Sequence, residues 1–221
     1  MKKLLVTIAA FALYSSSVFA DSFGFGVSGS LALIEADGKE TENASGSETE
    51  ASVFTKDVEN DAFIGSIFAE YISDYGVTVG IEHTPGSADV SDKTHTRTET
   101  AVGVSGESTN GSITRTAAAE IENYNKLYVE YGNVGYVRVG FAQLDVNTQE
   151  KAQTDGGTYG NATLDGYSIG FGFKHDASDY YVKSSIEYTD FDTLSLTSSS
   201  SNKLTADLDV TEFKIAIGKA F

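Results

Sequence analysis

Charged residues recur singly at alternate positions within otherwise apolar segments of the chain. There are four glutamates and four basic residues of this kind: Glu70, Glu82, Lys126, Glu130, Arg138, Lys183, Glu187 and Lys214. Acids and bases presented on one face of a sheet form ion pairs, and beside a nucleophile they transfer protons. Whether these residues form ion pairs or transfer protons depends on the strands that position them.

Candidate catalytic groups are few. The chain has no cysteine and only three histidines, which excludes disulfides, thiolate metal sites and a cysteine nucleophile. By position, His83 is expected near a strand end, facing outward, and His175 in a short turn. His95 lies among hydroxyl-bearing residues, but such neighbours are common in this composition. We therefore predict no catalytic residue, no cofactor and no metal ligand, and expect a protein that is not an enzyme.

The composition narrows the class of protein. The net charge of -17 over 221 residues argues against nucleic acid as a partner, because phosphate would be repelled. The mean hydropathy of -0.16 is typical of a soluble protein. That value averages half-apolar strands with strongly acidic connections, however, so it does not exclude a membrane protein whose spans are strands.

The first twenty residues resemble a targeting segment. Lys2 and Lys3 precede a short apolar run, and small residues lead to Ala20. This pattern predicts a signal peptide over residues 1–20, cleaved before Asp21, since the run is too short for a spanning helix. Residues 21–221 would then form one exported domain.

The remainder of the chain alternates with period two rather than with a helical period. Alternate apolar residues are typical of strands whose two faces meet different surroundings. Eight such segments are present, at residues 23–33, 63–71, 77–81, 127–131, 137–141, 167–173, 180–188 and 213–221. The eight charged residues all fall on the polar face.

Short and long connections alternate along the chain. The short ones cover residues 72–76, 132–135 and 174–179, and the long ones residues 36–61, 85–120, 144–163 and 189–207. This arrangement places all long loops at one end of the sheet, as in transmembrane barrels with short periplasmic turns and long extracellular loops. The aromatic residues that flank the short turns would ring the other end: Tyr71, Tyr75, Tyr131, Tyr136, Phe173 and Tyr180.

Together, these features resemble the small eight-stranded outer-membrane barrels of Gram-negative bacteria, of the OmpA/OmpX and opacity-protein types. The last segment carries Phe213, Ile215, Ile217 and Phe221, which match the terminal signal read by the barrel-assembly machinery in those families, although Lys219 departs from it. The resemblance implies an all-β, antiparallel up-and-down barrel in the outer membrane. Its surroundings would be lipid and lipopolysaccharide, and it would be a monomer.

The interior of an eight-stranded barrel is only wide enough for side chains. We therefore expect the eight charged residues to fill the lumen as a polar plug, with Glu130 opposite Arg138 and inward glycines making room. The expected role is outer-membrane structure, surface shielding or adhesion through acidic loops that contact surface ligands. The alternatives are a narrow porin-like ion channel and, third, a lipid-modifying enzyme.

Overall fold

The computed structural model describes residues 22–41, 53–90, 95–100, 112–149, 158–177, 180–199 and 201–221. The predicted signal peptide lies outside these residues and stays a prediction. The described residues form strands and connections, with no helix long and apolar enough to cross a membrane.

Eleven strands are present in the described part of the chain. They are β1 (Ser22–Thr41), β2 (Val53–Ile72), β3 (Val77–Asp89), β4 (His95–Thr100), β5 (Ser112–Ala117), β6 (Ala119–Tyr131), β7 (Gly135–Thr148), β8 (Ala162–Ala177), β9 (Tyr180–Phe191), β10 (Leu194–Thr197) and β11 (Lys203–Ala220).

Eight of these strands form a closed antiparallel barrel. Neighbours follow the order β1, β2, β3, β6, β7, β8, β9, β11, and β1 pairs with β11 to close it. Of the remaining strands, β10 pairs with the start of β11 in the barrel sheet, and β4 pairs with β5 in a separate two-stranded sheet. The predicted fold class is confirmed.

The strands are longer than the sequence pattern indicated. Both β1 and β2 have 20 residues, and their ladder continues to the pair Thr41–Val53. The prediction that residues 36–61 form one loop was therefore wrong at both ends. The other predicted connections are also shorter than expected. Strand β8 runs from Ala162 to Ala177, into the predicted connections 144–163 and 174–179, and β11 begins at Lys203, inside the predicted connection 189–207.

The extra length arises because the two faces of each strand exchange polarity. In the lower part of β1, Val27 and Leu31 point outward and Ser30 inward. Farther along, Ile34 is buried inside and Glu35 is exposed outside. The inner face is apolar in this upper part, so the ladder continues as it would in a water-soluble barrel.

Other strands show the same exchange. In β7, Arg138 points inward and Val139 outward, whereas Leu144 is buried inside a few residues later. In β11, Lys214 is buried and Ile215 exposed, while Leu208 is buried farther up. The barrel thus has a lower part with an apolar exterior and an upper part with an apolar interior.

The apolar exterior of the lower part has the height of a membrane core. From Phe23 to Leu33, β1 rises about 33 Å along its own axis, or about 25 Å along the barrel for a strand tilt of about 40°. That height matches the apolar band of about 25 Å seen on outer-membrane barrels. We call this exterior the apolar belt.

Aromatic side chains lie at the short-turn end of the belt. Tyr71, Tyr131, Phe173 and Tyr180 all point outward there. Tyr136 does not: it is buried inside the barrel, so its predicted place in the outer ring was wrong. Tyr136 lies two positions before Arg138 on β7, so the two side chains point to the same face, which is the inside of the barrel.

Candidate functional site

The structure places all eight charged residues of the polar face inside the barrel. Each is buried, on one of six strands: β2, β3, β6, β7, β9 and β11. They face one another across the lower part of the lumen at the depth of the apolar belt. Charges at that depth are stable only when paired and hydrogen-bonded.

At the short-turn end, Lys183 joins two carboxylates. Its Nζ lies 2.8 Å from both Oε atoms of Glu70 and 2.7 Å from Glu130 Oε2. The Tyr128 hydroxyl donates to Glu70 Oε2 at 2.8 Å. These contacts tie β9 to β2 and β6 across the barrel.

Arg138 lies at the centre of the network. Its Nε donates to Glu130 Oε1 at 3.0 Å, and its Nη1 lies 3.3 Å from Glu187 and 3.5 Å from Glu82. The guanidinium also stacks 4.0 Å above the Tyr128 ring, a favourable cation–π geometry. Glu130 and Arg138 are direct cross-strand partners of β6 and β7, as the short turn between them requires.

Two lysines complete the network above Arg138. Lys214 Nζ lies 2.6 Å from Glu82 Oε1 and 3.5 Å from Glu212 Oε1. Lys126 contacts both Glu187 and Glu212. An unbroken chain of alternating charges therefore runs from Glu70 to Glu212, and we call these nine residues the lumen network.

Glu212 is the member that sequence reasoning missed. It is almost fully buried, and Ser30 donates to its Oε1 at 3.0 Å. The predicted last strand began at Phe213 and the predicted connection ended at residue 207, so Glu212 was assigned to neither. Glu212 lies two positions before Lys214, so strand alternation could have placed it on the same inward face.

With Glu212 included, the lumen network has five carboxylates and four cations. Hydroxyl donors supply further hydrogen bonds to the acids. Ser28 donates to Glu82 at 3.1 Å, and Tyr124 donates to Glu212 at 3.5 Å while contacting Thr189 at 3.1 Å. Charge-assisted bonds of this kind are among the stronger protein hydrogen bonds.

Inward glycines make room for aromatic rings as well as for charged side chains. A Cβ on Gly80 would overlap the Tyr128 ring, and one on Gly24 or Gly218 would overlap Tyr181. The expectation that these glycines serve the charged chains alone was incomplete. The rings fill the width of the barrel between the ion pairs.

Above the lumen network the interior becomes apolar. Residues of β1, β6, β7, β8 and β11 meet there in one core, which we call the upper core: its buried members include Ala32, Ile34, Ile121, Leu144, Leu164, Leu208 and Val210. The lumen is thus occupied first by ion pairs and then by hydrocarbon side chains.

His83 and His175, the two histidines whose side chains the structure describes, lie outside this network. His83, partly buried on β3, contacts Asn125 Oδ1 through Nδ1 at 2.8 Å. His175 lies on β8 and is exposed, rather than in the turn where the sequence placed it. His95 begins β4. Among the described residues no three His, Asp or Glu side chains are grouped to hold a metal ion.

The residues of the predicted insertion signal lie on the outside of the barrel. Phe213, Ile215 and Ile217 are exposed on β11 within the apolar belt. Phe221 follows β11, and its backbone exchanges hydrogen bonds of 3.0 and 3.3 Å with Phe23 at the closing seam.

A closed eight-stranded barrel with an apolar belt and a side-chain-filled polar interior defines a transmembrane β-barrel of the outer-membrane type. The resemblance to the small outer-membrane barrels of Gram-negative bacteria is confirmed in the fold.

Comparisons with known proteins give only distant structural similarities. A scan against protein-family models and a search of curated proteins each found no match. Among solved structures, the outer membrane protease OmpT from Escherichia coli is similar at 10% identity and a TM-score of 0.48, covering 94% of this chain and 100% of that chain. The outer membrane protein AlkL is similar at 15% identity and a TM-score of 0.44, covering 94% and 93%. Neisserial surface protein A is similar at 10% identity and a TM-score of 0.39, covering 90% and 97%. The strand pairings and the apolar belt, rather than these distant similarities, establish the class.

Removing one cation from the lumen network should destabilise the barrel strongly. In Lys183→Met, Glu70 and Glu130 lose their shared partner, and breaking a buried pair costs about 3–5 kcal/mol. Urea unfolding in lipid vesicles, followed by the mobility difference between folded and unfolded protein on gels, measures this loss.

The matched control is Lys174→Met, which removes a partly exposed lysine paired with Asp176 at 3.0 Å. Exposed pairs contribute less than about 1 kcal/mol, so this variant should unfold near the original urea concentration. Equal losses in the two variants would show that the network does not depend on its buried cation.

Proposed function

We propose that the protein is a non-enzymatic structural barrel of the outer membrane that presents an acidic surface to the exterior, where it shields the cell or mediates adhesion. The observation that supports this proposal most directly is the filled lumen: nine charged residues and the upper core occupy the interior. What remains available for contact is the outside of the upper barrel and the long connections.

A filled lumen argues against the channel alternative. Each cation of the lumen network is held by at least two carboxylates, and the upper core above it is apolar. A hydrated ion would have to break several buried ion pairs and then cross hydrocarbon, and both steps are costly. The network is better suited to hold the barrel together.

The outside of the upper barrel is acidic. Four carboxylates lie opposite one another in a single row across neighbouring strands: Glu59, Glu35, Asp209 and Asp190. A second row continues above it with Asp57, Asp37 and Asp207. We call these seven residues the acidic collar. Like charges directly opposite each other destabilise a sheet, so the collar is a cost to folding that a surface role would account for.

The collar lies just above the apolar belt, at the level of lipid headgroups and their phosphates. Direct contact with anionic lipopolysaccharide would be repulsive, so we propose that it occurs through divalent cations, which prefer carboxylate and phosphate oxygens. Cationic surfaces and polypeptides are the other partners that the collar would attract. Insertion by the barrel-assembly machinery, a monomeric state and export by residues 1–20 belong to the same proposal.

Planar bilayers test the filled lumen. The unsubstituted protein should give no conductance steps, because the network leaves no aqueous path. Arg138→Ala removes the central cation but leaves the apolar upper core in place above the network, so this variant should stay silent too, as should Lys174→Ala. Stable conductance from the unsubstituted protein would favour the channel alternative and contradict the proposal.

Binding of a fluorescent polylysine to intact cells tests the acidic surface. A variant with Glu35→Gln, Asp37→Asn, Asp207→Asn and Asp209→Asn should bind less polymer, and the difference should shrink as added salt screens the collar. The control neutralises Asp74 and Asp176 at the short-turn end, where external polymer cannot reach. Equal binding by collar and control variants would refute a surface role for the collar.

A further inference from the structure

The wall of the barrel is incomplete between β2 and β3. On its other side β2 pairs with β1 along its whole length. Among the described residues, the ladder between β2 and β3 ends at the pair Ile67–His83, although β2 continues to Val53 and β3 to Asp89. A slit therefore separates the upper parts of these two strands.

Side-chain hydrogen bonds close the slit at each end. Below, the hydroxyls of Ser66 and Thr84 lie 2.7 Å apart; above, Asn60 Nδ2 donates to the Asp89 carbonyl at 2.7 Å. Ser66 and Asn60 are six positions apart on β2, so the slit is about 20 Å long. Between its ends β3 departs from regular pairing with β6, through a bulge that contains Pro85 and Gly86.

An apolar cavity opens through this slit. Its volume is about 140 Å³, and its inner wall consists of upper-core residues, among them Ala32, Ile34, Ile121 and Leu144. An apolar cavity of about 150 Å³ stays dry and takes up a molecule of the size of benzene. The cavity has the size and chemistry to hold a short stretch of alkyl chain.

Tyr124 separates the cavity from the lumen network. Its ring lines the cavity, while its hydroxyl is engaged below with Thr189 and Glu212. The cavity is therefore a blind pocket entered from the side, and it is not a continuation of a path along the barrel axis.

The position of the mouth indicates what enters. Phe63 and Gly65 flank it on β2, and Phe63 is 82% exposed on the outer face of the barrel. Asp61, two positions along on the same face, marks the upper limit of the apolar belt. The mouth thus opens at the rim of the belt, where the surrounding medium is the upper part of the lipid acyl chains. Irregular backbone is tolerated at this depth where it lines a cavity.

We propose that the slit between β2 and β3 is a lateral binding site for an acyl chain of a membrane lipid, which enters from the bilayer and packs against the upper core. The site requires no aqueous passage through the barrel. It is independent of the acidic collar and of the filled lumen.

Photo-crosslinking in lipid vesicles tests the site. The probe is a phosphatidylcholine with a diazirine near the end of one acyl chain, and mass spectrometry locates the adducts. In the unsubstituted protein we expect adducts on the buried residues Ile34, Ile121 and Leu144 in addition to the exposed belt. Leu164, in the same upper core but outside the cavity lining, serves as the internal negative control.

Ala88→Phe should fill the slit and lower the interior labelling about tenfold, the effect of displacing roughly two buried methylene groups. The matched control is Ala162→Phe, since Ala162 packs against the same core from β8, where the ladder with β7 is intact. Ile64→Phe narrows the slit from β2 and provides a second blocking variant if Ala88→Phe does not fold.

Three results would overturn the proposal. One is labelling confined to the exposed belt in the unsubstituted protein. Another is equal interior labelling in the blocking and control variants. Interior labelling by a free diazirine fatty acid but not by the phospholipid would likewise reject a membrane lipid as the source.

Discussion

The lumen network is the interaction on which the rest of the barrel depends. Its nine charges come from six strands. Lys126, Arg138 and Lys183 each contact carboxylates from at least two other strands, and Lys214 contacts Glu82 on β3 and Glu212 on its own strand. A slip of one residue in any of these strands would turn its charges toward lipid and its apolar residues inward. The pairing requirement therefore fixes the register of the sheet, and the fixed register in turn permits closure between β1 and β11.

The second determinant is that the barrel passes through two media. Within the belt the exterior must be apolar, and the narrow interior can hold polar groups because they pair with one another. Beyond the belt the exterior meets water, and the apolar upper core takes over the task of holding the strands together. The acidic collar and the cavity between β2 and β3 both lie near this boundary, one facing water and the other facing lipid.

Much of this organisation could be predicted from period-two alternation. Eight strands, their faces and eight members of the lumen network follow from the parity of charged and apolar residues. The upper parts of the strands could not be predicted in the same way. Apolar and polar residues still alternate there, but the apolar residues face inward and the polar residues face outward, the reverse of the lower part. Ile34 was therefore left outside the first predicted segment and Ala36 was placed in a connection, and Glu212 was excluded for the corresponding reason in β11.

Other features depend on tertiary pairing that no local pattern encodes. The full length of β1 is stabilised by β2 and β11 on its two sides. The slit exists because the ladder between β2 and β3 ends at the pair Ile67–His83, while β3 passes through a bulge and resumes its pairing with β6 at Ser87. Neither property can be assigned before the partners of each strand are known.

The reversal of polarity along each strand is the central claim, and site-directed spin labelling of β1 tests it most directly. The chain has no native cysteine, so single cysteines at Val27, Leu31, Ala36 and Asp37 can each carry a nitroxide. We expect labels at Val27 and Leu31 to be reached by oxygen dissolved in lipid, the label at Asp37 by a water-soluble nickel complex, and the label at Ala36 by neither. A label at Asp37 reached mainly by oxygen, or one at Leu31 reached mainly by the nickel complex, would contradict the account.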